Sequence, residues 1–278
     1  MPARRLTAAA ACPPLAGVLM ALLLLLPHPA AAQKKSGSEP LFGKAYSRYT
    51  IVSSELKGAE FYLVSGHGGP DPGCIGKYKG KELHEDEYAY DIILRLGREL
   101  LKRGAKVHFI IQDARDGIRD GEILQGSKRE TCMGQAIPLN QTERLKQRSA
   151  AINRLAARSK SAYKRSVFIH IDSRSKGEQT DVYFYHAPGS AGGERLARRL
   201  QSTFRAKYRQ NQPGRGFTGT VSARGLYVLR STNPVGVFLE LGNIQNARDQ
   251  KRLVVANNRQ ALANWITQGI IADYKSRK

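Results

Sequence analysis

Beyond about residue 46 the chain alternates short apolar runs with longer stretches in which apolar positions recur every three or four residues. Residues 60–65, 106–111 and 166–171 have the strand-like character, and 86–103 and 142–158 have the helical spacing between them. The series continues with 181–185 as a strand, 191–209 as a helix, 235–241 as a strand and 249–274 as one or two helices. Such alternation predicts an α/β domain with a sheet flanked by helices. No internal repeat interrupts it.

The first long helix shows its reasons plainly. Ala89, Ile92, Ile93, Leu96 and Leu100 follow the 3.6-residue period, Arg95, Arg98 and Lys102 fall elsewhere, and Gly104 ends the run. Glu85, Asp86 and Glu87 crowd the first turn, where the helix dipole favours acids, so a chemical role for any of them competes with that structural one. Residues 112–141 have no clear period and contain Gly117, Gly121, Gly126, Gly134 and Pro138. A structureless stretch of that length is uncommon in a compact domain unless it covers a site, so 113–141 reads as a long loop insertion.

The N-terminus changes the picture. Arg4 and Arg5 precede an apolar run from Ala16 to Leu26, then Pro27-His28-Pro29-Ala30-Ala31-Ala32. This reads as a secretory signal peptide over 1–32, cut after Ala32, because the run falls short of the roughly 20 residues a spanning helix needs. Residues 33–46 are polar and read as a linker, with the folded domain over 47–278. The expected location is outside the cytoplasm, in a periplasm, cell wall or extracellular space.

The whole chain carries a formal charge of +22, and the leader takes away two arginines and no acid, leaving +20. A field of that sign concentrates polyanions, which outside the cytoplasm means anionic wall polymers or lipopolysaccharide rather than nucleic acid. Arg195, Arg198, Arg199, Arg205, Lys207 and Arg209 share one helical stretch, which is either a docking surface or a solvated face. Cys12 leaves with the leader, so Cys74 and Cys132 remain as a possible bridge or as two thiols.

The residues that could carry chemistry sit at strand ends. Ser65-Gly66-His67-Gly68-Gly69-Pro70-Asp71-Pro72-Gly73 directly follows the first strand, at the sheet edge where α/β proteins bind ligands. Phe168-Ile169-His170-Ile171-Asp172 puts a second histidine at the end of another apolar strand, where an imidazole is a costly guest. Two such histidines suggest one metal, and catalytic zinc takes three protein ligands, often two histidines and a carboxylate. Glu85 is the candidate carboxylate, with Glu87 and His84 as rivals. Val237-Phe238-Leu239-Glu240-Leu241-Gly242-Asn243 adds an acid inside an apolar strand, either a buried ion pair or a catalytic group.

The order of these pieces resembles the zinc-dependent N-acetylmuramoyl-L-alanine amidases of type 3. The likeness runs from about Phe61 to Tyr274: Gly66-His67-Gly68-Gly69 with Asp71-Pro72-Gly73, then Glu85, Arg148 with Ile152-Asn153, Ile169-His170, Leu229-Arg230, and Leu239-Glu240-Leu241-Gly242 with Asn246. The resemblance implies a twisted, mostly parallel sheet of about six strands in a single domain. It implies one zinc held by His67, Glu85 and His170, with Glu240 as catalytic acid/base, and peptidoglycan as the partner. Arg230, Arg148 and Asp172 become candidates for substrate binding.

Two departures stand out. Phe168-Ile169-His170-Ile171-Asp172 replaces the Ser-Ile-His-Ala-Asn usual in that family, keeping the ligand but setting an acid beyond it, and 113–141 is longer than the family norm. The competing functions are a zinc peptidase acting within the stem peptide and an inactive wall-binding protein.

Overall fold

Alternation within each central strand sorts the domain into two layers. The computed structural model describes residues 1, 35–172 and 177–277, so the expected leader lies, but for Met1, outside the described residues. In chain order the elements are β1 (Ser36–Ser38), β2 (Arg48–Thr50), β3 (Ala59–Ser65), β4 (Ile75–Tyr78), β5 (Lys81–His84), α1 (Glu85–Leu101), β6 (Lys106–Phe109), β7 (Ile111–Gln112), β8 (Thr131–Cys132) and β9 (Gln135–Ala136). There follow α2 (Gln141–Ala157), β10 (Tyr163–Asp172), β11 (Tyr183–His186), α3 (Ala191–Asn211), β12 (Thr220–Ala223), α4 (Tyr227–Arg230), β13 (Val235–Asn243), α5 (Ala247–Val254) and α6 (Ala256–Lys275). Six strands form the central sheet in the order β12-β11-β13-β10-β3-β6. Every neighbouring pair is parallel except β11 with β13, so the expected mostly parallel α/β sheet is present.

Phe61 and Leu63 of β3, Val167 and Ile169 of β10, and Val237 and Leu239 of β13 join the core built with α1, α3, α5 and α6. Tyr62, Val64, Phe168 and Phe238 alternate with them and pack with Ile152 of α2 and Leu229 of α4 in a second cluster. His170 and Glu240 fall in step with Phe168 and Phe238, which puts them on the α2 and α4 side.

Three expectations need correction. Within the expected linker 33–46, the described residues 35–46 are not loose: β1 pairs with β2, and Phe42 is fully buried, edge-on to Phe109 at 5.6 Å. Phe42 and Leu41 are the apolar anchors that an averaged polar composition hides, and among the described residues they extend the folded part back from 47 to Lys35. Helix α1 is buried nearly all round rather than on one stripe, because α6 and the 113–141 segment cover its polar side. Its charges survive burial by pairing: Asp91 meets Arg95 at 2.7 Å and Arg259 at 2.6 Å.

The 113–141 segment, in turn, is not structureless. β7, β8 and β9 make a small antiparallel sheet. Side chains pin the rest, with Arg119 on Glu87 at 2.8 Å and Asp113 Oδ1 accepting from the backbone N–H of Arg115 at 2.7 Å. No disulfide joins Cys74 to Cys132; the latter is buried in the cluster with Val64, Ile111 and Ile137.

Candidate metal and catalytic site

The C-terminal ends of β3 and β10 lie side by side, with Val64 opposite Phe168 and Ser65 opposite Ile169. One step further, Gly66 donates its N–H to the Ile169 carbonyl at 2.7 Å and lies beside His170. A Cβ there would stand 2.5 Å from the His170 ring, so only glycine leaves room for the imidazole. The chain then turns through His67 in the left-handed region at φ 55, which swings that imidazole back over the sheet edge. The two rings meet edge to face, 4.9 Å between centroids.

Glu85 opens α1 directly beneath them. Its Oε1 lies 2.9 Å from His170 Nδ1 and 3.3 Å from His67 Nε2, and it accepts the Ile171 N–H at 3.1 Å. Its Oε2 accepts the Cys74 N–H at 2.9 Å. Gly73 is the second glycine the site requires, since a Cβ there would come within 2.7 Å of both Glu85 and His67. The three donor atoms lie within 4.8 Å of one another. The rivals are engaged elsewhere: Glu87 with Arg119, and His84 with Glu82 at 3.1 Å.

Around this triangle the electrostatics are strongly biased. Burial pushes the Glu85 carboxyl up, but contacts from His170 and His67 outweigh it and hold it well below the usual carboxylate range. Burial lowers His67, yet Asp71 and Glu85 together raise it to about 10. His170 is pulled down, first by burial. Asp71 was part of the sequence motif without an assigned role. Here its Oδ2 sits 2.7 Å from His67 Nδ1, leaving Nε2 to face Glu85, and Arg144 holds the same oxygen at 2.6 Å.

Glu240 is the in-register neighbour of His170 across the parallel β10–β13 pair, and Tyr183 flanks it from β11. Register partners project to the same face of a sheet, so its carboxylate shares the face of the His170 ring. Phe238, two residues earlier, stacks on His170 at 4.4 Å and 18°. The acid therefore stands beside the triangle, half-buried, in a wall of aromatic rings.

The family model described as N-acetylmuramoyl-L-alanine amidase matches residues 62–272, spanning these strands and side chains. The chain belongs to that family. It is 24% identical over 223 residues to the germination-specific N-acetylmuramoyl-L-alanine amidase of Bacillus subtilis strain 168, covering 79% of this chain and 81% of that one. An N-acetylmuramoyl-L-alanine amidase from Clostridium difficile 630 shares the fold at TM-score 0.57 and 20% identity, over 80% of this chain and all of the other. The CwlD amidase of Clostridioides difficile, solved in complex with the GerS lipoprotein, matches at TM-score 0.57 and 18% identity, over 78% of this chain and 99% of that one.

Within this family member the three expected substrate residues fare differently. Arg148 is 4% exposed and donates from Nη2 to the His67 carbonyl, which braces the histidine turn. Burial pulls its guanidinium down to about 10. The helix period placed Arg148 on the buried face of α2, the signal that could have found this role. Arg230 is exposed at the end of α4, its Nε donating to the Gly225 carbonyl at 3.0 Å. Asp172 is buried at the end of β10, two residues beyond His170, where its own carbonyl accepts from Ile244 at 2.9 Å.

Proposed function

We propose that the chain hydrolyses the amide bond between the lactyl group of N-acetylmuramic acid and the first L-alanine of the peptidoglycan stem, using one zinc ion held by His67, Glu85 and His170. The observation that carries this reading is the convergence of two imidazole nitrogens and a carboxylate oxygen beside Glu240, in a member of this amidase family. The donor set fits zinc. Tetrahedral zinc with ligands at 2.0–2.2 Å needs donors roughly 3.3 Å apart, and the Glu85 oxygen lies 3.3 and 2.9 Å from the two histidine nitrogens. A carboxylate behind one histidine, as Asp71 stands behind His67, is the usual support of a metal-bound imidazole.

Bound zinc supplies Lewis acidity, lowering the pKa of water toward about 7 and polarising a carbonyl. The Glu240 carboxylate accepts the proton of the attacking water and returns it to the departing L-alanine nitrogen, which leaves poorly as an anion. Glu85 and Asp71 hold the imidazoles in place. Phe238 and Tyr185 form the apolar wall at the His170 side and limit water there.

On the same reading the chain works outside the cytoplasm after removal of residues 1–32, and its excess of positive charge holds it near anionic wall polymers or lipopolysaccharide. Mass analysis of products from purified muropeptides tests the reaction. Intact stem peptide with a free L-alanine amine is expected; shortened stems would indicate a peptidase, and unchanged substrate a binding protein.

A further inference from the structure

Behind the histidine turn lies a second group of acids that the proposed chemistry does not use. Asp86 and Glu87 from the first turn of α1, and Glu130 from the 113–141 segment, are all buried, and one oxygen from each lies within 4.8 Å of the others. The helix dipole accounts for acids at the start of α1. It does not account for a third carboxylate arriving from 43 residues further along the chain.

Their neighbours leave negative charge in excess. Glu87 accepts the Arg119 guanidinium at 2.8 Å and the Ser127 N–H at 2.6 Å. Glu130 accepts the Gly69 N–H at 2.8 Å and the Ser127 hydroxyl. That hydroxyl also lies 3.1 Å from Asp113 Oδ2, and its single hydrogen cannot serve both carboxylates. Arg129 is spent on Asp113 and Asp116, at 3.2 and 3.0 Å. Asp86 is 3% exposed, its Oδ1 accepts only the Glu87 N–H, and its Oδ2 has no hydrogen-bond partner. A buried carboxylate oxygen with nothing to bond is costly unless a cation or a proton meets it.

We propose that Asp86, Glu87 and Glu130 form a calcium site that ties the 113–141 segment and the histidine turn to the start of α1. The donors are all oxygen, which selects a hard cation over zinc. Calcium accepts irregular carboxylate coordination at about 2.3–2.6 Å, completed by water, whereas magnesium demands near-octahedral geometry at about 2.0–2.1 Å, which three carboxylates fixed by separate elements do not provide. Through the Glu130–Gly69 bond the ion steadies the turn that carries His67, two residues away.

Calcium chloride titrated into the zinc-loaded protein in calcium-free buffer, followed by calorimetry and thermal unfolding, tests this. One calcium per chain is expected, with Tm rising on the order of 5 °C at a hundredfold excess over Kd. Asp86→Asn and Glu130→Gln should each weaken calcium binding at least tenfold while zinc content stays at one. Gln at 130 keeps an acceptor for Gly69, so that variant serves if Asp86→Asn does not fold. No heat and no Tm shift in the unaltered protein at millimolar calcium overturns the site, as does an equal response to magnesium or a shift that survives both substitutions. Absence of binding together with a more stable Asp86→Asn variant would instead assign the cluster a shared proton.

Discussion

Gly66→Ala isolates the geometric demand at the centre of the site. The added Cβ would stand 2.5 Å from Cε1 and Nδ1 of His170, about 1 Å short of ordinary contact. The imidazole cannot simply retreat, because Phe238 stacks on its other side at 4.4 Å and Glu85 holds Nδ1 at 2.9 Å. Gly66 is not in the left-handed region, so alanine brings no backbone strain, and elsewhere such a change stabilises by about 0.4–1 kcal/mol through the unfolded chain. Here overpacking should cost about 1–3 kcal/mol instead. A ring displaced by roughly 1 Å should lower turnover on the order of 10²-fold. Zinc content, turnover on purified muropeptides and thermal unfolding of the variant check both effects. Full zinc with turnover within about threefold of the unaltered protein would refute the claim that Gly66 makes room for a metal-binding His170.

Asp71→Ala should raise the Kd for zinc by about 10–100-fold, because His67 loses the carboxylate that orients it; competition with a chelating dye measures this, and an unchanged Kd contradicts that role. Glu60 supplies a pH dependence remote from His67, Glu85 and His170. Burial pushes its carboxyl up, but hydrogen bonds from Ser159, His108, Lys106 and Tyr62 outweigh it and hold it at about 2, against 4.5 when unfolded. Its stabilising effect is therefore complete above pH 4.5 and is lost as pH falls through about 2. Glu60→Gln should flatten the acid limb of stability in that window, and an acid limb matching the unaltered protein contradicts this.

Periodicity carried the central architecture because each core strand and helix buries a continuous apolar set, as in 166–171 and in Ala89 to Leu100. It failed where burial depends on partners distant in sequence. Phe42 belongs to the core through Phe109, and Asp91 is tolerated inside α1 only because Arg259 reaches it from α6. β12 and α4 are too short to show a period, and the small β7-β8-β9 sheet joins two-residue strands from either end of an irregular segment. At the site, His67 and His170 stand out because imidazoles at strand ends contrast with apolar neighbours, whereas Glu85 shares an acidic helix start with Asp86 and Glu87 and is singled out only by the family resemblance. Arg148 is harder to place, since an arginine in that motif reads equally as a contact to substrate carboxylates or as a partner of structural acids; its bond to the His67 carbonyl, a backbone partner, is not legible in the sequence.

Beside the triangle of His67, Glu85 and His170, the proposed hydrolysis depends most heavily on Glu240 as the group that moves the proton. Glu240→Gln keeps the shape of the side chain in the β13 register and removes its capacity to accept a proton. Steady-state turnover of that variant on purified muropeptides, with zinc bound at one per chain, is the direct measurement. A loss on the order of 10²-fold or more is expected, with fold and zinc content intact. A zinc-loaded, folded variant that turns over at near the original rate would contradict it.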